Sequence, residues 1–250
     1  MTGLPDYDRS QWQAEAEFFD RKAAEQQVAP LDPRIVQRYA HPAGPWHIDF
    51  CFRMAGDLRG KTVLDVGAGL GENSLVLAAL GAKVTALDIS SGSLEVLTRR
   101  AQLSGLADRI TTVCSPLEAW DSKETFDLVW IDSFLHHVIP NLPFVLGKIR
   151  DRLNPGGRLI VAEPFSPRLL RTLRMALPIS TNGTPGERPL NSTEINIIRR
   201  CFQGAHTRYF LFLSRFQRFF PFASSLAGLD AALLRAPGIR KLGGYIVIWT

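Results

Sequence analysis

The feature that most constrains this chain is an alternation. Five near-continuous apolar runs lie between Lys61 and Phe165: "KTVLDVG", "KVTALDIS", "RITTVCS", "FDLVWIDS" and "RLIVAEPF". A strand with so little polar alternation is stable only when both its faces are covered. Most of these runs are separated by stretches of helical character. They include "GENSLVLAALGA", closed by Gly81, and "SGSLEVLTRRAQLSGL", with Ser91 or Ser93 as its cap. A third, "LPFVLGKIRDRL", places Leu142, Val145, Ile149 and Leu153 on one face and stops at Asn154-Pro155-Gly156-Gly157. Strands alternating with helices predict βαβ units and a parallel sheet with helices on both faces.

The flanks are less regular. Residues 11–28 read as a helix rich in Ala, Glu and Gln, and residues 29–46 as a proline-broken stretch that starts with a loop. A second helix is expected from about Ile48 to Leu58, ending at Gly60. The alternation stops near Pro164. Residues 164–205 are irregular until the helix "STEINIIRRCF", capped by Ser192 or Thr193. Two strand candidates remain, "TRYFLFL" and the terminal "GYIVIWT", and an aromatic, basic stretch lies between them.

A chain of 250 residues, 46% hydrophobic, is enough for one domain with a full core, or one domain carrying insertions. No apolar run reaches the ~18 residues of a membrane-spanning helix, and "MTGLPDYDRS" lacks the features of a signal peptide. The cysteines Cys51, Cys114 and Cys201 show no metal-type spacing. Cys51 and Cys114 have apolar neighbours and are expected to be buried thiols, which implies a reducing, cytoplasmic setting. The charge is uneven: residues 1–147 carry a net −6 and residues 148–250 a net +11. A basic half faces either an acidic partner or solvent.

The first strand ends in "VLDVGAGLGENS", where an acid, Asp65, precedes Gly67, Gly69 and Gly71. A glycine-rich turn between a strand and its helix lets a ligand approach the main chain. The dinucleotide spacing is G-x-G-x-x-G. Here the third glycine comes one residue early, and the acid would repel a pyrophosphate but suit an ammonium group. The second strand ends in Asp88, placed to accept hydrogen bonds from ribose hydroxyls. These features describe a nucleoside carrying a cationic amino-acid tail.

With these residues in order, the sequence resembles the class I S-adenosylmethionine-dependent methyltransferases, of the small-molecule kind similar to those of quinone biosynthesis. The resemblance covers about Gly60 to Phe165 through "VLDVGAGLG", "VTALDIS", "FDLVWIDSFLHHV" and "LNPGGRLIVAEPF". It implies an α/β, Rossmann-like seven-stranded sheet, mostly parallel, whose antiparallel last strand "GYIVIWT" would supply. It also implies a helical lid over residues 1–59 and a methyltransferase domain over 60–250, with insertions near 164–205 and 214–242.

The resemblance further implies S-adenosylmethionine as cofactor. Its methionine part would lie against Gly67, Ala68 and Gly69, with Asp65 orienting the loop. Asp88 would take the ribose and Ile89 pack on adenine. Many relatives carry an acid after the third strand. Here Ser115, Pro116 and Leu117 stand in that region, so adenine recognition passes to the Ser115 hydroxyl and local backbone, with Glu118 as a substitute. Asp132 and Ser133 would meet the amino-acid end.

Methyl transfer is an in-line displacement, and a proton acceptor helps when the nucleophile is a hydroxyl. His136 and His137 follow the fourth strand, and one helical turn would stack His136 on Asp132. His136 is the favoured base, the alternative being that the pair only packs the helix start. Glu163 ends the fifth strand and is expected to point into the same crevice or to bond the adjoining loop. No metal site is expected, since the histidines lack ligand-type spacing. Substrate selection is assigned to two regions. Phe18, Phe19, Tyr39 and Trp46 would wall an apolar pocket. Arg168, Arg171, Arg174 and Arg188 would border the crevice.

Arg215 and Arg218, interleaved with phenylalanines, admit either a peripheral membrane contact or plain packing. A small-molecule substrate is expected and nucleic acid is not. RNA or protein modification, or a non-catalytic cofactor-binding subunit, are the rival functions.

Overall fold

The computed structural model of the chain describes residues 6–166, 187–212, 226–236 and 238–250. Its centre is a seven-stranded sheet of order β3-β2-β1-β4-β5-β7-β6. The strands are β1 (Thr62–Val66), β2 (Lys83–Asp88), β3 (Ile110–Cys114), β4 (Phe126–Asp132), β5 (Leu153–Pro164), β6 (His206–Phe210) and β7 (Tyr245–Trp249). β7 runs antiparallel to both β5 and β6, while β1 to β5 pair in parallel. The helices among the described residues are α1 (Asp6–Ala24), α2 (Pro33–Ala40), α3 (His47–Ala55), α4 (Glu72–Ala79), α5 (Ser91–Leu103), α6 (Leu142–Asp151), α7 (Ser192–Cys201) and α8 (Leu226–Leu233).

The apolar runs fill two layers. Leu64, Val66, Val129, Ile131, Leu159 and Val161 pack with α6 and α7 on one face. Val63, Leu128, Trp130 and Ile160 face the other layer, with Phe50, Cys51 and Phe52 of α3 and Val76 and Leu77 of α4. Burying each large side chain contributes roughly 1.5–3 kcal/mol, so α3 is part of the core. None of the described helices is long and apolar enough to cross a membrane.

Several local expectations are corrected. Within the proline-broken stretch, residues 33–40 form a helix, because Pro33 sits in the first turn and the Asp32 carboxylate accepts from the Arg34 N–H. α3 stops at Gly56, whose φ of 70° ends the turn before Gly60. The cap of α5 is Ser90, whose hydroxyl accepts from the Ser93 N–H. That of α7 is Asn191, in a capping box with Glu194.

"LNPGG" does not precede β5 but lies within it. Phe126 pairs with Leu153 and Leu128 with Arg158, so the intervening residues bulge. Cys114 is exposed, because sheet order puts β3 at an edge, whereas Cys51 is buried. α1 is clamped onto α5 by Asp20, which accepts from Ser90 Oγ at 2.6 Å and the Gly92 N–H at 2.8 Å.

Candidate active site

Strand order reverses between β1 and β4, which splits the helices to either side and opens a crevice at the carboxyl ends of the strands. The glycine turn lines it. Gly67, Gly69 and Gly71 have φ of 72°, 52° and 83°, a region that a Cβ disfavours. Nothing stands where a Gly69 Cβ would be, so its main chain is open. At Gly67 a Cβ would strike the Phe134 ring, and at Gly71 Leu97.

Two carboxylates organise this turn. Asp88 accepts from the Gly69 N–H at 2.7 Å and the Ser90 N–H at 2.8 Å, joining the ends of β1 and β2. Burial raises its pKa, partly offset by these N–H groups. Asp65 is wholly enclosed beneath the turn, where Ser74 Oγ donates to it at 2.6 Å. Burial pushes its pKa up to about 7, and the neighbouring Asp132, Asp88 and Glu72 add in the same direction.

The cleft is walled by Gly67, Gly69, Asp88, Ile89, Ser115, Pro116, Leu117, Glu118, Ser133, Phe134 and His137, and by Trp12, Glu15 and Phe19 from α1. Most of the expected cofactor residues therefore converge on one cavity. Asp65, Ala68 and Asp132 are not among its lining residues, and the first two are buried. Phe19 joins the cleft, but Tyr39 and Trp46 do not. Tyr39 stacks on Phe52 behind the sheet, and Trp46 sits near Phe210 and Leu234. Arg188 pairs with Glu194 at 2.8 Å. Arg168, Arg171, Arg174, Arg215 and Arg218 lie outside the described residues.

The loop after β4 departs from the expected arrangement. His136 does not stack on Asp132, because residues 133–138 form turns rather than a helix. Its Nδ1 lies 2.8 Å from Glu163 Oε2. Glu163 is fully buried, and its Oε1 accepts from the N–H groups of Phe134 and Leu135. It ties the loop to the end of β5, and neither Glu163 nor His136 lines the cleft.

His137 does line it, and holds α1 in place: its carbonyl accepts from Gln11, and its Nδ1 lies 3.6 Å from Glu15 and 3.1 Å from Glu187. Burial lowers its pKa, but Glu15, Glu187 and Glu163 outweigh that and the net shift is upward. His136, His137 and Glu187 bring three ligand-type atoms within 4.8 Å of one another. Sequence spacing missed this group because Glu187 arrives from about fifty residues away.

A family model for the methyltransferase domain matches residues 63–157. The ubiquinone biosynthesis O-methyltransferase of Actinobacillus pleuropneumoniae is 31% identical over 166 residues, 65% of this chain and 67% of that protein. The chain belongs to the class I S-adenosylmethionine-dependent methyltransferases. The mitochondrial ubiquinone biosynthesis O-methyltransferase of Schizosaccharomyces pombe is 31% identical over 144 residues, 56% of this chain and 52% of that protein. The chain thus spans about half the length of the first curated relatives it matches. Among solved structures, the [4+2]-cyclase SpnF shares the fold with a TM-score of 0.60 at 19% identity, over 96% of this methyltransferase-family chain and 95% of its own. The DhpI–SAH complex does so with a TM-score of 0.56 at 16% identity, over the same shares.

Proposed function

We propose that the protein transfers a methyl group from S-adenosylmethionine to an oxygen or nitrogen of a small, aromatic or lipophilic molecule. Fold alone does not choose a reaction, as the cyclase SpnF illustrates. The observation that carries the reading is the glycine turn with its two acids. Three positive-φ glycines leave main chain open, Asp88 braces it at the ribose end, and Asp65 waits beneath it as a counter-charge for an ammonium group. A dinucleotide's pyrophosphate would be repelled by Asp65.

The residues fit the cofactor, which supplies an electrophilic methyl group when bound. In this reading Gly67, Ala68 and Gly69 hold its methionine part. Asp88 exchanges its main-chain bonds in part for ribose hydroxyls. Ile89, Ser115, Pro116 and Leu117 enclose adenine, and the main chain of Asp132 and Ser133 borders the amino-acid end. Glu163 and His136 act as positioning residues, holding the loop that carries Ser133, Phe134 and His137 against the cleft. α1, the part of residues 1–59 that reaches the cleft, shuts it from water, which desolvates the reacting groups. The body of the enzyme is residues 60–250, and its insertions near 164–205 and 214–242 select the substrate.

The cytoplasm is the expected compartment. Peripheral membrane contact through Arg215 and Arg218 is tested by sedimentation with anionic liposomes, where binding must vanish at high salt and in the double glutamate variant.

Calorimetry with S-adenosylmethionine, S-adenosylhomocysteine and NAD tests the core of the proposal. One site per chain for the first two ligands and none for NAD is the expected result. Folded protein giving neither heat nor thermal shift with the first two ligands refutes it. Binding without methyl transfer to any acceptor would favour a non-catalytic partner subunit.

A further inference from the structure

Beside the cofactor cleft, on the β5–β7 side of the switch point, lies a second polar group in which only the main chain of Asp132 and Ser133 has an expected role. β7 is antiparallel, so its first residue, Tyr245, stands at the same sheet edge as the ends of β4 and β5. Its hydroxyl donates to Asp132 Oδ1 at 3.1 Å and is in short contact with Ser133 Oγ. Ser133 Oγ itself donates to Asp132 Oδ1 at 3.2 Å, and Asn73 Nδ2 donates to Oδ2 at 3.1 Å. Ser133 has a φ of 60°, a conformation that costs a non-glycine residue energy and recurs at functional sites. It is also a wall of the cofactor cleft, so the two groups share one residue.

His47, the first residue of α3, completes the group. Its ring lies 4.1 Å from that of Tyr245, and its Nδ1 is buried with no hydrogen-bond partner among the described residues. Buried ring nitrogens are seldom left unsatisfied in native proteins. In the tautomer that carries its proton on Nε2, Nδ1 is an acceptor without a donor, and a substrate hydroxyl is a donor. Burial lowers the His47 pKa and keeps the ring neutral, opposed in part by Asp132 and Asp49. Burial raises that of Tyr245, which stays a phenol and a donor. Asp49 is itself paired with Arg38 at 2.6 Å.

Resting on the methyltransferase reading above, we propose that His47, Tyr245 and Asp132 form the acceptor side of the site and that the acceptor is a hydroxyl, on an alcohol or phenol. On substrate binding the Tyr245 hydroxyl turns its proton from Asp132 to the acceptor oxygen at the border with the cofactor cleft, Ser133 keeps its bond to Asp132, and His47 Nδ1 takes the acceptor's proton. In balance, a lone pair of the acceptor oxygen forms the new O–CH3 bond. The S–CH3 bond breaks with its pair left on sulfur, and the hydroxyl proton passes to Nδ1. One positive charge is lost at sulfur and one appears on the imidazolium, where the carboxylates of Asp132 and Asp49 stabilise it. Solvent removes the proton after release of product. Burial, Asp132 from β4 and Asp49 on its own helix set the His47 titration, and the rings of Tyr245 from β7 and Phe210 from β6 pack against it.

The test uses the full chain, with His47→Asn and Tyr245→Phe variants. Calorimetry with S-adenosylhomocysteine comes first: both variants should bind within twofold of wild type, which shows that they are folded. Wild-type failure at this step overturns the cofactor reading instead. Transfer is then measured with a panel of phenols, catechols and aliphatic alcohols. His47→Asn should lose about 100-fold or more in kcat and lose the acidic limb of the pH–rate profile. Tyr245→Phe should raise KM at least tenfold. A third readout needs no turnover: the His47 ring nitrogens, followed by NMR in the S-adenosylhomocysteine complex, should shift when catechol is added. An unchanged rate and pH profile in His47→Asn overturns the assignment. So does cofactor binding with no transfer to any hydroxyl in the panel, or a His47 signal indifferent to catechol.

Discussion

Replacing Asp65 with asparagine should make the free protein more stable and the cofactor complex weaker, and the size of both effects follows from burial. The carboxyl is enclosed, with the Ser74 hydroxyl as its hydrogen-bond partner. Its pKa rises from 3.8 to about 7 on folding. Between those values the folded state holds a proton that the unfolded state has lost. This contribution to stability is therefore full below about pH 4, falls as pH rises, and is gone above about pH 7. A tenfold change in proton affinity is worth about 1.4 kcal/mol, so ionising the buried acid costs up to about 4 kcal/mol.

Asparagine has nearly the same shape, can keep the Ser74 hydrogen bond and carries no charge to desolvate. In a protein of this size 1 kcal/mol moves Tm by roughly 2–4 °C. Differential scanning calorimetry should show the variant's Tm raised by up to roughly 8–16 °C at pH 8 and nearly unchanged at pH 4. Affinity for S-adenosylmethionine at pH 8 should fall by about 1.5–3 kcal/mol, the scale of a hydrogen bond to a charged group. Equal melting of the two proteins at pH 8 would refute the buried-charge argument. Unchanged affinity would refute the role of Asp65 as counter-charge.

Asp88→Ala should weaken cofactor binding by about 1.5–3 kcal/mol, measured by calorimetry, because the turn loses its brace at Gly69 together with the ribose acceptor. An unchanged Kd would show the ribose held elsewhere. Asp20→Ala removes the two bonds that clamp α1 to α5, worth about 1–2 kcal/mol. Hydrogen exchange in residues 10–24 should quicken by about 5–30-fold while the sheet is unaffected. Protection equal to wild type would mean that α1 is held by its other contacts.

The sheet was legible because a strand buried on both faces has to be apolar throughout, and the helices between strands carry their own stop signals. Five runs of residues thus located β1 to β5 to within a few positions, the early start of β5 apart, and "GYIVIWT" located β7. Asp65, Gly67, Gly69 and Asp88 were legible for the same reason. They belong to one strand–turn–helix unit and the strand beside it, so local geometry already aims them at one place. Caps were less so: Ser90 and Asn191 cap their helices through bonds decided by the turn geometry around them rather than by residue type.

What the chain order could not say is which distant residues meet. Four-residue spacing predicts that His136 meets Asp132, but the turns after β4 send it to Glu163 instead. Cys114 lies among apolar neighbours in sequence yet is exposed, because the position of β3 in the sheet is a property of all seven strands. Tyr245, Asn73 and His47 carry no local signal at all. They reach Asp132 or its neighbour from β7, α4 and α3 only when the antiparallel last strand brings its first residue to the edge where β4 ends. Local periodicity is set by what each residue buries, and sequence displays that directly. The meeting of polar groups is set by strand order and direction, which arise from packing the whole chain at once.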